Sequence, residues 1–123
     1  MAGVASRLCQ GAGWRFGWNG EQGLLGGEDW ALELTATEWQ EWCRTCRELW
    51  ETWQTMQAHL MEEEDLTLER QSQFLMVILT GSRGDPTLYL RLLTGRVAEG
   101  QWRGEAAHTL LARIGGLNGT GAS

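Results

Sequence analysis

Lysine is absent from this chain. Its ten basic residues are all arginine and face sixteen carboxylates, a net charge of −6. Arginine supplies planar, bidentate, stacking cations that lysine does not. The acidic balance excludes generic nucleic-acid binding, which rests on phosphate neutralisation, unless arginines cluster locally. No apolar run approaches the ~18–20 residues of a membrane-spanning helix. The longest, Phe74 to Leu79, is strand-sized, so no membrane role is expected. The first residues carry one arginine and no apolar h-region, against a secretory signal. Cysteine is scarce and odd in number, at three. That fits reduced thiols in a cytoplasm better than a disulfide framework, and the sequon Asn118-Gly119-Thr120 then carries no glycan.

Tryptophan, by contrast, is abundant: eight in 123 residues. The length is that of one domain, large enough for a single core without disulfides or metals. An apolar fraction of 42% and a mean hydropathy of −0.32 are those of a soluble globular protein. Residues 1–12 are small and polar and are expected to be disordered, as is the tail 117–123; residues 13–116 are expected to form the domain. Trp14-Arg15-Phe16-Gly17-Trp18 alternates with period two, a strand with its rings on one face. Asn19-Gly20 reads as a turn and Gly26-Gly27 as a break. A second strand follows, with Trp30, Leu32 and Leu34 on one face.

Thr35 and Glu38 then form a capping box, and Leu34 and Trp39 occupy the positions of a hydrophobic staple. Apolar residues recur at Trp39, Trp42, Cys46, Leu49, Trp53, Met56 and Leu60, widened by Cys43 and Trp50. The spacing predicts an amphipathic helix of about seven turns, roughly 40 Å long. The acidic run Glu62-Glu63-Glu64-Asp65 sits at the wrong pole of the helix dipole, so the helix stops near Met61 or arginines neutralise the run. Leu66 to Thr80 reads as one long strand, with Leu66, Leu68, Phe74, Met76 and Ile78 on one side and Leu75, Val77 and Leu79 on the other. Residues 81–86 are a loop and 87–94 a further strand, followed by a short segment to Trp102. A second helix runs from about Gly104 to Ile114, with Ala107, Leu110, Leu111 and Ile114 as its stripe and Gly115-Gly116 as its stop. The fold class expected is α+β: an antiparallel sheet of about four to five strands, the long helix packed across it and a short C-terminal helix. The apolar back of strand 74–79 needs a cover, either the short helix or a second copy, and a homodimer is expected.

Few residues suggest chemistry. Cys43-Arg44-Thr45-Cys46 is a C-x-x-C, but it lies inside the helix and on its apolar stripe. A redox pair belongs at a helix N-terminus. A zinc site would need a second pair, and His59 and His108 do not complete one. Burial accounts for both thiols. A solvated helix end accounts for the acidic run better than a bound cation, and the glycine clusters lack the strand and lysine of a phosphate loop. No metal, cofactor or catalytic set is expected, so the chain reads as non-enzymatic. The remaining candidates are Arg15, Tyr89, Arg91, Arg96, Trp102 and Arg103, an arginine and aromatic set of the type that binds single strands on an open sheet. Ordinary surface pairing with Glu33, Glu69 and Glu99 is the competing reading. The expectation is a scaffold or interaction domain with a protein partner, the alternative a single-strand nucleic-acid binder.

The segments Gly11 to Trp18, Leu25 to Thr35, Leu60 to Glu64, Leu93 to Arg96 and Glu99 to Trp102 resemble a cyanobacterial family known only as a domain of unknown function, DUF1818. The resemblance spans about residues 11–114. It implies a cyanobacterial cytoplasmic protein without an assigned activity, and a fold grouped with the single-stranded-DNA-binding transcriptional regulators of coactivator and Whirly type. Shape does not carry function. Those binders present basic sheets, and this chain is acidic. The resemblance assigns no site residue.

Overall fold

In a computed structural model, residues 7–116 are described. They form an α+β domain in which an antiparallel meander followed by a helix occurs twice. Strands β1 (Arg7–Gly11), β2 (Trp14–Trp18), β3 (Gly23–Gly26) and β4 (Ala31–Leu34) precede helix α1 (Ala36–Gln57). Strands β5 (Asp65–Gln71), β6 (Leu75–Ser82), β7 (Asp85–Leu92) and β8 (Glu99–Arg103) precede helix α2 (Gly104–Gly115). Each meander is a sheet of its own, ordered β1-β2-β3-β4 and β5-β6-β7-β8. The single sheet expected from the sequence is therefore corrected to two. Residues 7–11, expected to be disordered, pair with β2, and β3 fills what reads in sequence as turn and break. The expected disorder at 1–6 and 117–123 lies outside the described residues.

The capping box is present in full. Thr35 Oγ1 accepts from the Glu38 amide (3.1 Å), and the Glu38 carboxylate accepts from the Thr35 amide (2.9 Å). Leu34 and Trp39, the staple pair, are both buried. The helix has 22 residues, about 33 Å. It stops before Leu60 and the acidic run, with no basic residue in its last turn to offset the dipole. The run then folds its own turn, the Glu64 carboxylate accepting from the Met61 amide (2.9 Å). Met56, expected in the core stripe, is 43% exposed. Helix α2 matches its expected stripe: Ala107, Leu110, Leu111 and Ile114 are all buried.

The long strand expected over 66–80 is broken by a turn. Ser72 Oγ accepts from the amides of Phe74 and Leu75, and the Ser72 amide donates to the Leu75 carbonyl (2.8 Å). The turn changes the phase of the alternation. Leu66 and Leu68 therefore share the inner face with Leu75, Val77 and Leu79, and Met76 and Ile78 point outward. Proline is tolerated in β7 because β8 pairs only from Thr87 onward, so no ladder bond needs a Pro86 amide.

Both sheets turn their inner faces to the helix pair. Helix α1 packs on β5 and β6, α2 on β7 and β8, and α2 also reaches β1 and β2. Trp39 of α1 packs on Phe16 and Trp18 of the N-terminal sheet, ring centroids 6.0 Å apart in both cases. Trp42 of the same helix packs on Trp102 of the C-terminal sheet (5.5 Å). Gly23 has no room for a side chain, because its Cβ would enter the Trp39 ring. Leu75, Val77 and Leu79 are thus covered by the chain's own helices, and the apolar back of the strand is the face of Met76 and Ile78.

Glu38 couples the helix cap to the far sheet. Its buried carboxylate also receives Arg96 Nη2 at 2.9 Å, from the β7–β8 loop, and the same guanidinium donates to the Glu33 carbonyl. The guanidinium is half exposed, which limits the worth of the pair, yet removing it leaves the buried carboxylate with the Thr35 amide as a partner and no counter-charge. Arg96→Ala should therefore lower the unfolding free energy by about 1–2 kcal/mol in urea titrations, whereas Arg91→Ala should change it by less than about 0.5 kcal/mol.

Candidate functional site

The six candidate residues separate in space. Trp102 lies in the core, 2% exposed. Its ring packs on Trp30 (4.9 Å) and Trp42, and its indole N–H donates to the Gly26 carbonyl at 3.0 Å. The short segment 99–103 is a strand, so Trp102 belongs to a sheet face and not to an exposed arginine and aromatic set. Paired with Leu88, it is an inner-face residue of β8. Its role is to join the two sheets. Gly100 carries no side chain where the Trp30 ring crosses β8. Arg96 is committed to Glu38 and Glu33. Arg15 stands on the outer face of the N-terminal sheet, opposite Gly26.

Tyr89, Arg91 and Arg103 do come together, on the outer face of the C-terminal sheet. Register sets four rows across it: Asp65–Ser82–Asp85, Thr67–Thr80–Thr87–Arg103, Glu69–Ile78–Tyr89–Gln101 and Gln71–Met76–Arg91–Glu99. Among the described residues, neither helix packs on this face. Met76, Ile78 and Tyr89 are half-buried at its centre by their in-sheet neighbours alone. Around them stand Asp65, Glu69, Asp85 and Glu99 against Arg91 and Arg103, four carboxylates against two guanidiniums.

Two of the three candidates on this face are already engaged. The Tyr89 hydroxyl donates to the Glu99 carboxylate, its diagonal cross-strand neighbour. Arg103 donates from Nη2 (2.8 Å) and Nε (3.1 Å) to the Gln101 side-chain oxygen, in the amide orientation that satisfies both groups. Tyr89 is the only aromatic residue in the four rows, and a stacking platform needs successive rings. The hydrogen bond to Glu99 raises the phenol above the ordinary tyrosine range; partial burial and the Glu99 charge add to this, and Arg91 opposes it.

The C-x-x-C pair is structural. Burial pushes the Cys43 thiol up to about 12, with Arg47 acting weakly against it, and raises Cys46 well above the ordinary thiol range. Both stay protonated at neutral pH, the opposite of a reactive dithiol. Cys9 is half-buried on β1, its sulfur accepting from Arg113 Nη2 at 3.6 Å. No group of three or more potential metal ligands occurs among the described residues. No helix is long and apolar enough to cross a membrane.

Two β-meanders closed by a helix pair, with tryptophans at the junction, define an α+β domain. The chain belongs to the family described as Domain of unknown function (DUF1818), which it matches over residues 9–117. It is similar to a crystal structure from the cyanobacterium Prochlorococcus sp. NATL2A, described as a protein of unknown function from the DUF155 family. The two share 29% identity over 88% of this chain and 95% of that one, with a TM-score of 0.79. No curated protein matches the chain.

Two titrations check the site. Thiol labelling of the native protein at pH 8 should show Cys9 reacting first, with Cys43 and Cys46 protected until denaturant is added; fast labelling of all three would contradict the burial. Because Tyr89 is the sole tyrosine, tyrosinate absorbance isolates it. Its ionisation should fall above the ordinary tyrosine range and move back toward it in Glu99→Gln.

Proposed function

We propose that this chain is a non-enzymatic, cytoplasmic protein-interaction domain that takes a protein partner on the outer face of its C-terminal sheet. The observation that carries the reading is the make-up of that face. Met76, Ile78 and the Tyr89 ring form an apolar centre, and a polar rim surrounds it, as at protein interfaces. The surplus of carboxylates suits a partner with a basic rim and repels a phosphate backbone. A homodimer through this face would set two acidic rims against each other, so a different protein is the better fit.

One observation favours a second reading, single-strand nucleic-acid binding. Tyr89, Arg91 and Arg103 share an open sheet face. The coactivator and Whirly type of fold implied by the sequence resemblance belongs to this reading, and its support is the repeated meander and helix. Against it stand the single ring, the prior engagement of Tyr89 and Arg103, and the dispersal of Arg15, Arg96 and Trp102.

Affinity capture from a native extract, run beside oligonucleotide titration, separates the two. Wild type should retain a protein that Ile78→Arg loses, and single-stranded oligonucleotides should show no saturable binding at low salt. Binding at low salt that weakens in Tyr89→Ala and Arg91→Ala would replace the first reading with the second.

A further inference from the structure

The geometry points to a second binding site, on the outer face of the N-terminal sheet, for an organic cation carried on an alkyl stem. Register places Leu8, Gly17, Leu24 and Glu33 in one row across all four strands. The row faces away from the helices, because its chain neighbours Phe16, Leu25 and Leu34 are buried in the core. Gly17 brings no side chain, so the row has a gap between Leu8 and Leu24. The result is a concavity of about 260 Å³, lined also by Trp18 and Asn19 at the β2–β3 turn. That is smaller than the roughly 300–1,000 Å³ of a site for a drug-sized ligand, and it suits one group the size of a side chain.

The lining selects the charge of that group. Leu8 stands 56% exposed beside the gap, an apolar surface left for a ligand stem. The one charged residue lining the concavity is Glu33, and it is exposed. Among the residues whose side chains are described, which leaves out Arg7, no cation lies within ion-pair distance of its carboxylate. Arg96 reaches only the Glu33 backbone carbonyl, and its charge is met by Glu38. Arg15, the other cation on this face, belongs to the neighbouring row and lies over Gly26. Asn19 Oδ1 is occupied by the amides of Glu21 and Gln22. An alkyl stem would cover the leucines while its cationic head meets Glu33. An anion would meet the carboxylate's repulsion.

A lysine side chain of another protein and a free aliphatic amine present the same chemistry. A second copy of this chain cannot supply lysine, since it has none. The site lies on a different sheet from the face in the proposed function and does not depend on that reading.

Amide chemical shifts of the full chain test it, with n-pentylammonium, a capped lysine tetrapeptide and, as neutral control, n-pentanol. The amides of Gly17, Leu24 and Glu33 should shift saturably with the ammonium and with the peptide. Glu33→Gln should weaken the ammonium about threefold and leave pentanol unchanged, the range expected for an exposed ion pair. Tighter binding of the peptide would assign the site to a protein lysine, and tighter binding of the amine to a free small molecule. Absence of saturable shifts, pentanol matching the ammonium, or an unaffected Glu33→Gln would each overturn the assignment. Shifts that follow protein concentration, with nothing added by the probe, would overturn it in favour of a second copy.

Discussion

One helix has to serve as the inner wall of two sheets. A helix packed on one sheet needs an apolar stripe about a third of its circumference wide. Helix α1 must meet Phe16 and Trp18 on one side and Trp102 on the other, so its stripe is widened by large rings at Trp39, Trp42, Trp50 and Trp53. The abundance of tryptophan follows from this. Large rings span the distance between elements that smaller side chains would leave as cavities, and each buried ring carries a large apolar area. The glycines opposite them are the complement, since Gly23 and Gly100 leave room for the Trp39 and Trp30 rings.

The same rings impose a polar cost. Trp102 meets it by donating to the Gly26 carbonyl, and Trp14 by donating to Thr109 Oγ1 at 2.7 Å, so these two bonds also tie strands to neighbouring elements. Trp39 and Trp42 have no partner for their indole N–H groups among the described residues. Leaving such a donor buried and unpaired costs about 1–3 kcal/mol each. The packing gained by the two rings at the centre of the molecule has to exceed that. Burial likewise removes the C-x-x-C from chemistry: Cys43 and Cys46 lie on the same stripe, where a thiolate would have no solvation.

With the inner faces consumed by the core, the two sheets are left with their outer faces open. They differ. The C-terminal sheet presents a half-buried apolar centre with an acidic rim, suited to a broad partner surface. The N-terminal sheet presents a gap at Gly17 in the row that ends at the Glu33 carboxylate. Arginine without lysine fits such a body. Arg44 pairs with Glu41 and Glu48 along the helix, Arg70 approaches Glu48, and Arg96 holds the helix cap, so guanidiniums here fasten elements more than they make a positive field.

The local elements were legible wherever the signal was local. Thr35 and Glu38 marked the start of α1 because a capping box is read from residues three apart, and the stripe of α2 followed from its period. The strand at 14–18 announced itself by alternating rings. What sequence could not carry was long-range. Division into two sheets depends on which strands find each other: β3 is too short and glycine-rich to declare itself before it pairs, and β1 carries no alternation of apolar residues. Ser72 turned one apparent strand into two and exchanged inner for outer across Met76 and Ile78, because a turn shifts a period-two pattern without altering its composition. Trp102 looked like a surface residue until β8 paired with β7 and placed it beside Leu88. Sequence by itself determined the helices, the aromatic character of the core and the acidity of the surface, all properties of neighbours along the chain. Tertiary structure alone decided which arginines share a face, which tryptophan closes the core and where a missing side chain leaves a gap, since each depends on residues brought together from distant strands.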